Sequence, residues 1–201
     1  MSKEHHLLVV SGLGGASAGF RRIVDSWRKY GFTPHVHDME WRNDEREFCL
    51  KLERLISVID ELQSNDEILS LVGTSAGGSA VLNAFYERRN RIHRVVNVCG
   101  RLRAGQKVHP TLEVASRKSP AFKESVTLFE KREPLLTAEE RKKILTIRAL
   151  LDEVVPTSTT TIQGATNIQV FSVEHMLSIT AAMTIFVKPM IEFLQGSDLV
   201  S

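Results

Sequence analysis

The stretch Glu67–Gly78, EILSLVGTSAGG, passes from an apolar strand through a glycine-rich turn into a helix, and the fold prediction starts from it. Its turn has the pattern G-x-S-x-G, with Ser75 at the centre. After the turn, apolar residues recur at helical spacing as far as Phe85. Glycines around the serine permit a strained turn, and the helix N-terminus favours a developing negative charge. The stretch therefore predicts a nucleophilic serine, with ordinary turn chemistry as the alternative.

Composition indicates an ordinary globular protein and excludes several function classes. The chain has 201 residues, is 42% hydrophobic and 25% charged, and carries a net charge of +2. This length predicts a single domain, residues 1–201, and the near-neutral balance predicts no nucleic-acid partner. Since no apolar run reaches about 18 residues and the N-terminus is polar, we expect no membrane span, no secretion signal and a cytoplasmic location. Cys49 and Cys99 are then expected to be buried thiols.

Apolar runs alternate with amphipathic segments along most of the chain. Leu7–Val10 is wholly apolar, as in a strand that is buried on both faces of a parallel sheet. The predicted strands besides this one and the serine strand are Phe32–Met39, Arg94–Gly100, Ile144–Val155 and Asn167–Val173. The alternation predicts an α/β fold, a mostly parallel doubly wound sheet of about six strands with helices on both faces.

The predicted helices follow from apolar residues at three- and four-residue steps. They comprise Phe20–Tyr30 with Gly31 as its cap, a helix after Asp44 that runs to Leu62, and Ser178–Leu194 with a kink near Pro189.

The segment Arg101–Lys143 interrupts this alternation. It contains three prolines, no clear strand, and eleven Lys and Arg against six Glu. Long insertions of this kind are usually functional, so we interpret residues 101–143 as a small helical cap over the sheet edge that carries the strand C-termini. A helical excursion that only adds surface is the alternative.

Three residues with complementary chemistry are predicted to lie at that edge. Ser75 follows the third strand, Asp152 the fifth and His175 the sixth. A serine hydroxyl needs a base to take its proton, and a histidine that is oriented by a carboxylate is suited to that role. The order Ser, Asp, His is the one associated with a nucleophile elbow.

These pieces resemble the α/β-hydrolase superfamily. The matching stretches are GTSAGG around Ser75, LLDEVVP around Asp152, EH at His175 and SGLGG after the first strand. The resemblance spans the chain from Leu7 to Leu194 and implies a compact member of the fold. It also implies a serine nucleophile, a histidine base and an aspartate that orients the base, with Glu153 as the alternative acid.

The same resemblance implies an oxyanion hole that is formed by the backbone N–H groups of Leu13 and Ala76. The family often has His-Gly where this chain has Ser11-Gly12, and Gly where it has Glu174. Glu174 is therefore expected either to raise the pKa of the adjacent imidazole or to point into solvent.

Four further residues are candidates for substrate contacts because of where they stand. Gly12 lies in the glycine loop, Thr74 precedes the serine, and Arg101 and His109 lie in the predicted cap. The basic excess of the cap, including Arg101, indicates either an anionic group on the substrate or a solvated basic face.

The predicted activity is hydrolysis of a carboxylic ester or thioester on a small molecule through an acyl-enzyme, with no metal and no cofactor. One alternative is a non-catalytic binding protein with the same fold. Another is a dinucleotide-binding protein that uses the loop Gly12–Ser17 and Asp38. Oligomeric state is not predicted.

Overall fold

The computed structural model of the protein describes residues 3–43, 45–63, 67–171 and 174–196. Within these ranges six strands form one sheet. The strands are β1 (His5–Val10), β2 (Thr33–His37), β3 (Ile68–Thr74), β4 (Val95–Val98), β5 (Ile144–Ala149) and β6 (Thr166–Val170). All neighbouring strands are parallel, in the order β2-β1-β3-β4-β5-β6.

Helices connect these strands on both sides of the sheet. The α-helices are α1 (Ala18–Asp25), α2 (Phe48–Leu62), α3 (Ala76–Glu87), α4 (Leu112–Ala115), α5 (Pro120–Arg132), α6 (Ala138–Lys142), α7 (His175–Thr184) and α8 (Val187–Leu194). Short 3-10 turns cover Ser26–Tyr30, Glu133–Leu135 and Thr157–Thr159.

The interior strand β1 shows why the fold is doubly wound. Its alternate residues enter two different cores, because successive side chains of a strand point to opposite faces. Leu8 and Val10 pack with buried residues of α2, α3 and α5. Leu7 and Val9 pack with residues of α1, α7 and α8 on the other face. The predicted doubly wound α/β class with about six strands is confirmed.

The strand order also fixes where a site can form. From β1 the chain crosses to β2 on one side, and from β3 it continues to β4, β5 and β6 on the other. The crossovers therefore diverge at β1 and β3, and a crevice opens beyond the C-termini of these two strands. The glycine loop after β1 and Ser75 after β3 border this crevice.

The C-terminal helix is two helices rather than one kinked helix. α7 and α8 are bent by 57°, and the break falls at residues 185–186, just before Pro189. A proline lacks an N–H group and collides with the carbonyl four residues earlier, so Pro189 fits in the first turn of α8 and interrupts the chain before it. Over the described ranges, no single helix is long and apolar enough to cross a membrane, and this bent pair passes that test only by length and composition.

Two local expectations differ from the structure, the burial of Cys49 and the start of α2. Cys49 is exposed on α2 rather than buried, because the helix directs Phe48 and Leu52 to the core and turns Cys49 outward. Cys99 is buried, as expected. The expected cap residue Asp44 lies outside the described residues, and α2 begins only at Phe48.

The segment Arg101–Lys143 contains α4, α5 and α6. α5 lies against α3, and its Val126 and Phe129 belong to the core of that face. Ser125 Oγ lies 2.8 Å from Ser79 Oγ of α3. The segment therefore contributes to the core through α5, while its first half, with α4, borders the crevice. A cap function for residues 101–143 remains a prediction.

Candidate active site

Ser75 lies on a strained turn between β3 and α3. Its backbone angles are φ 51° and ψ −121°, a conformation that non-glycine residues rarely adopt. The turn is tight because a Cβ at Gly73 would lie 2.3 Å from the carbonyl oxygen of Gly77. The Ser75 N–H donates to the carbonyl of Val98 at 2.9 Å, which anchors the turn to β4. The sequence GTSAG thus holds the serine hydroxyl at the C-terminal edge of the sheet.

The structure brings Ser75, His175 and Asp152 together at this edge. Ser75 Oγ lies 3.0 Å from His175 Nε2, and His175 Nδ1 lies 2.7 Å from Asp152 Oδ2. Ser75 and His175 lie 100 residues apart along the chain, and Asp152 and His175 lie 23 residues apart. His175 is 4% exposed, so the relay is largely shielded from water. The arrangement can move a proton from the hydroxyl to an imidazole whose far nitrogen faces a carboxylate.

Asp152 is held in place by its own loop. Its Oδ1 accepts hydrogen bonds from the N–H groups of Val154 at 2.9 Å and Val155 at 2.7 Å, which leaves Oδ2 for His175. Burial alone would raise the pKa of Asp152, but the hydrogen bonds from His175 and the two backbone groups outweigh it and hold the pKa below its ordinary value. Asp152 therefore stays ionised beside the imidazole.

The two nearby glutamates serve the backbone rather than the ring. Glu153 Oε1 accepts from the backbone N–H of His175 at 3.2 Å. Glu174 is the N-cap of α7, where its carboxylate accepts from the N–H groups of Met176 at 3.1 Å and Leu177 at 2.7 Å. Neither expectation for Glu174 describes this role, because the start of a helix presents free N–H groups that a carboxylate satisfies well.

The glycine loop comes into contact with the serine turn. A Cβ at Gly12 would lie 2.8 Å from Ser75 Cβ, so only glycine lets the loop approach this closely. Leu13 follows and lines the cavity beside Ser75. Within the described part of the chain, the N–H groups of Leu13 and Ala76 donate to no protein acceptor. The two donors belong to the glycine loop and the serine turn, which come into contact at Ser75.

A small cavity of about 220 Å³ opens beside Ser75. Its lining is mostly apolar and comes from the glycine loop, the first part of the segment Arg101–Lys143, and the loop after Asp152. The lining residues are Leu13, Ser75, Arg101, Pro110, Val114, Ala115, Phe122, Glu153, Val154 and Val155. The apolar members other than Leu13 were not among the candidates chosen from the sequence, since their spacing matches that of ordinary core residues and only their position beside Ser75 distinguishes them.

Arg101 lines the cavity, but its guanidinium is occupied by the chain itself. The group is fully buried and donates to the carbonyl oxygens of Arg103, Ala104 and Pro110. Burial lowers the pKa of this guanidinium, and the negative charges of Glu113 and Glu130 oppose that shift. Arg101 thus fixes the loop that leads to α4. Because its guanidinium already donates to three carbonyl oxygens, it does not supply a free cation for an anionic substrate.

Two other candidates do not reach the cavity. His109 is exposed, and the neighbouring Pro110 lines the cavity in its place. Thr74 is buried, and its hydroxyl donates to the carbonyl of Val10 at 3.4 Å, which ties β3 to β1. Alternation along β3 explains this, because adjacent residues of a strand point to opposite faces.

The dinucleotide alternative loses its acidic residue. Asp38 Oδ2 accepts from the N–H of Ala16 at 2.8 Å, and its Oδ1 accepts from the N–H of Glu40 at 3.0 Å. The carboxylate therefore stabilises the glycine loop and the turn after β2. The strand order also differs from the 3-2-1-4-5-6 order of dinucleotide-binding sheets.

Comparison with known proteins identifies the fold. No family model and no curated protein matches the chain. Solved structures do match over nearly the whole chain. A metagenome-derived lipolytic enzyme is 14% identical, with a TM-score of 0.71 over 97% of this chain and 95% of that one. A monoacylglycerol lipase from Paleococcus ferrophilus is 16% identical, with a TM-score of 0.64 over 94% and 93%.

A meta-cleavage product hydrolase from Pseudomonas fluorescens is 15% identical, with a TM-score of 0.65 over 97% of this chain and 92% of its own. At these identities the likeness establishes the fold and leaves the activity to the site. The chain has the α/β-hydrolase fold, so the resemblance seen in the sequence is confirmed at that level.

Proposed function

We propose that this protein is a serine hydrolase that cleaves a carboxylic ester or thioester of a small molecule through an acyl-enzyme. The observation that supports it is the continuous relay of Ser75, His175 and Asp152, with contacts of 3.0 and 2.7 Å. A hydrogen-bonded chain of Ser, His and Asp could form without backbone strain at the serine. The strained turn at Ser75 is what a positioned nucleophile requires.

The proposed reaction follows from the positions of the atoms. Ser75 Oγ attacks the carbonyl carbon and passes its proton to His175 Nε2, while Asp152 stabilises the imidazolium that results. The free N–H groups of Leu13 and Ala76 receive the oxyanion, and each such donor contributes about 2.7–4 kcal/mol to the transition state. His175 then protonates the leaving group, which departs as an alcohol or thiol. Water repeats the sequence and releases the acid, so the steps require neither a metal nor a cofactor.

The cavity limits the substrate. At about 30 Å³ per water-sized group, a volume of about 220 Å³ holds on the order of seven non-hydrogen atoms. Apolar side chains dominate its wall, and Arg101 is already satisfied by carbonyl groups. We therefore propose a short, uncharged acyl group as the bound portion, with residues 101–143 acting as the cap that sets its length.

A fluorophosphonate probe tests the proposal, because it forms a covalent bond only with an activated serine. We expect the wild-type protein and a Ser17→Ala control to be labelled, since Ser17 is an exposed helix cap. Ser75→Ala should show no labelling while retaining the wild-type circular dichroism spectrum. A folded wild-type protein that resists labelling would instead support a non-catalytic binding protein.

A further inference from the structure

The edge of the sheet opposite Ser75 carries a second cluster of chemically active side chains. Glu4 precedes β1, His6 lies in β1, and Glu67 precedes β3. The N–H of Ile68 donates to the carbonyl of Glu4 at 3.0 Å, which holds the starts of the two strands side by side. One ligand atom from each of the three side chains lies within 4.8 Å of the other two. The seven residues of β3 lie between Glu67 and Ser75, so at about 3.3 Å per residue this cluster lies roughly 25 Å from the relay.

His6 is fixed between two partners. It is 8% exposed, its Nε2 lies 2.6 Å from Glu67 Oε2, and its Nδ1 lies 2.9 Å from His35 Nε2 on β2. In metal sites the non-ligating imidazole nitrogen usually donates to a neighbouring acceptor, which sets the tautomer and the ring orientation. His35 Nε2 can accept from Nδ1 of His6 once an ion takes the place of the proton on His6 Nε2, and that nitrogen already faces Glu67.

We propose that Glu4, His6 and Glu67 bind one Zn²⁺ ion, with His35 as a positioning residue. One imidazole with two carboxylates matches the ligand preference of Zn²⁺, whereas Mg²⁺ and Ca²⁺ prefer oxygen alone. The two carboxylates also balance the charge of the ion.

Only small side-chain movements are needed to form the site. Ligand atoms at about 2.0–2.2 Å from a tetrahedral zinc lie roughly 3.4 Å apart. The atoms of His6 and Glu67 would separate slightly, and the ion would replace their hydrogen bond. Glu4 is exposed, which gives the ion a path inward, and water completes the coordination. The bound ion would link the start of β1 to the start of β3.

The expectation of no metal fails to cover this cluster, because paired cysteines and histidines at helical spacing are the patterns that indicate a metal site locally in a sequence. These ligands come from two chain segments about sixty residues apart, and only the parallel pairing of β1 with β3 brings them together.

Isothermal titration of the chelator-treated protein with ZnCl₂ tests this site. Cys49→Ser serves as the background, because Cys49 is exposed and would bind zinc weakly by itself. We expect one zinc per chain, no comparable binding of MgCl₂, and loss of the zinc isotherm in Glu67→Gln. Glu139→Gln is the matched control, since Glu139 is an exposed carboxylate that bonds Lys142 and takes no part in the cluster. His93→Asn should also leave binding unchanged, which excludes the nearby ring pair of His5 and His93.

His35→Asn is a second variant that remains informative if Glu67→Gln fails to fold. Loss of an orienting partner should weaken zinc binding about 10–100-fold without abolishing it. Zinc should also raise the melting temperature of the background protein and of Glu139→Gln. The absence of a saturable one-to-one isotherm in the background protein, or full affinity in both Glu67→Gln and His35→Asn, overturns the proposal. Fluorophosphonate labelling of Ser75 does not depend on zinc binding, so a failed zinc titration would leave the proposed hydrolase function standing.

Discussion

Replacing Asp152 with asparagine tests the relay because the structure dictates how the new amide must lie. Oδ1 of Asp152 accepts two backbone N–H groups, at 2.9 and 2.7 Å. An amide that turned its NH₂ toward those donors would leave buried groups unpaired, at about 1–3 kcal/mol each. Its oxygen therefore keeps the backbone contacts, and its NH₂ faces His175 Nδ1.

That orientation of the amide reverses the tautomer of the His175 imidazole. Nδ1 must then accept a hydrogen bond, so the ring proton moves to Nε2, which faces Ser75 and can no longer take its proton. The wrong tautomer should reduce kcat about 10⁴-fold, equivalent to about 5.4 kcal/mol of transition-state stabilisation. Hydrolysis of p-nitrophenyl acetate measures this loss. Glu153→Gln is the matched control, because its amide oxygen can still accept from the N–H of His175, and it should stay within tenfold of wild type.

The same variant has a pH signature in stability. The folded-state pKa of Asp152 lies below its ordinary value, so its contribution to the free energy of unfolding is present above the unfolded-state pKa and is lost as the pH falls through the folded-state pKa. Wild type should therefore lose more stability than Asp152→Asn between pH 6 and pH 3, by urea denaturation. A kcat for Asp152→Asn within tenfold of wild type would refute the assignment of the orienting acid, and equal pH profiles would refute the depressed pKa.

Three further outcomes follow from contacts around the relay. Gly12→Ala places a methyl group 2.8 Å from Ser75 Cβ, so kcat/KM should fall on the order of 10²-fold with a far smaller change in melting temperature; unchanged turnover would mean that the loop can retreat without cost. Ala115→Leu adds three carbons, which fill roughly 90 Å³ of the cavity of about 220 Å³. The hexanoate-to-acetate ratio of kcat/KM for p-nitrophenyl esters should therefore drop about tenfold. An unaltered ratio would place the acyl group elsewhere. Burial, with the charge of Asp152, raises the pKa of the Cys99 thiol to about 12. Ellman's reagent at pH 8 should therefore react only with the exposed Cys49 until the protein is unfolded. Reaction of two thiols in the native state would contradict the packing of β4.

Local patterns were sufficient for the elements and for the residue types of the site. The apolar run Leu7–Val10 predicted a strand buried on both faces, and its side chains enter both cores. The motif around Ser75 predicted a turn between strand and helix, and the turn is present with a strained serine. Asp152 and His175 were selected by their place after strands, and the structure brings both to Ser75. Each of these inferences depends on neighbours in the chain, which is why the sequence carries it.

Side-chain partners were beyond the reach of such patterns. The charge of Arg101 indicates either an anionic substrate or a solvated basic face, yet the side chain is buried and donates to three carbonyl groups of its own loop. Glu174 is expected from the sequence either to raise the pKa of the imidazole or to point into solvent, and it caps α7 instead. A charged residue takes whichever unpaired group folding brings nearest, and that group is not written beside it in the sequence.

The amino-acid sequence by itself determined the alternation of strands and helices, the serine turn and the order of the three relay residues, because hydrophobic period and turn chemistry are local properties. Only the tertiary structure decided the volume of the cavity, the roles of the buried polar groups and the meeting of Glu4, His6 and Glu67. These features depend on contacts between segments that the parallel sheet aligns across many tens of residues, and the geometry of such contacts exists only once the strands are paired.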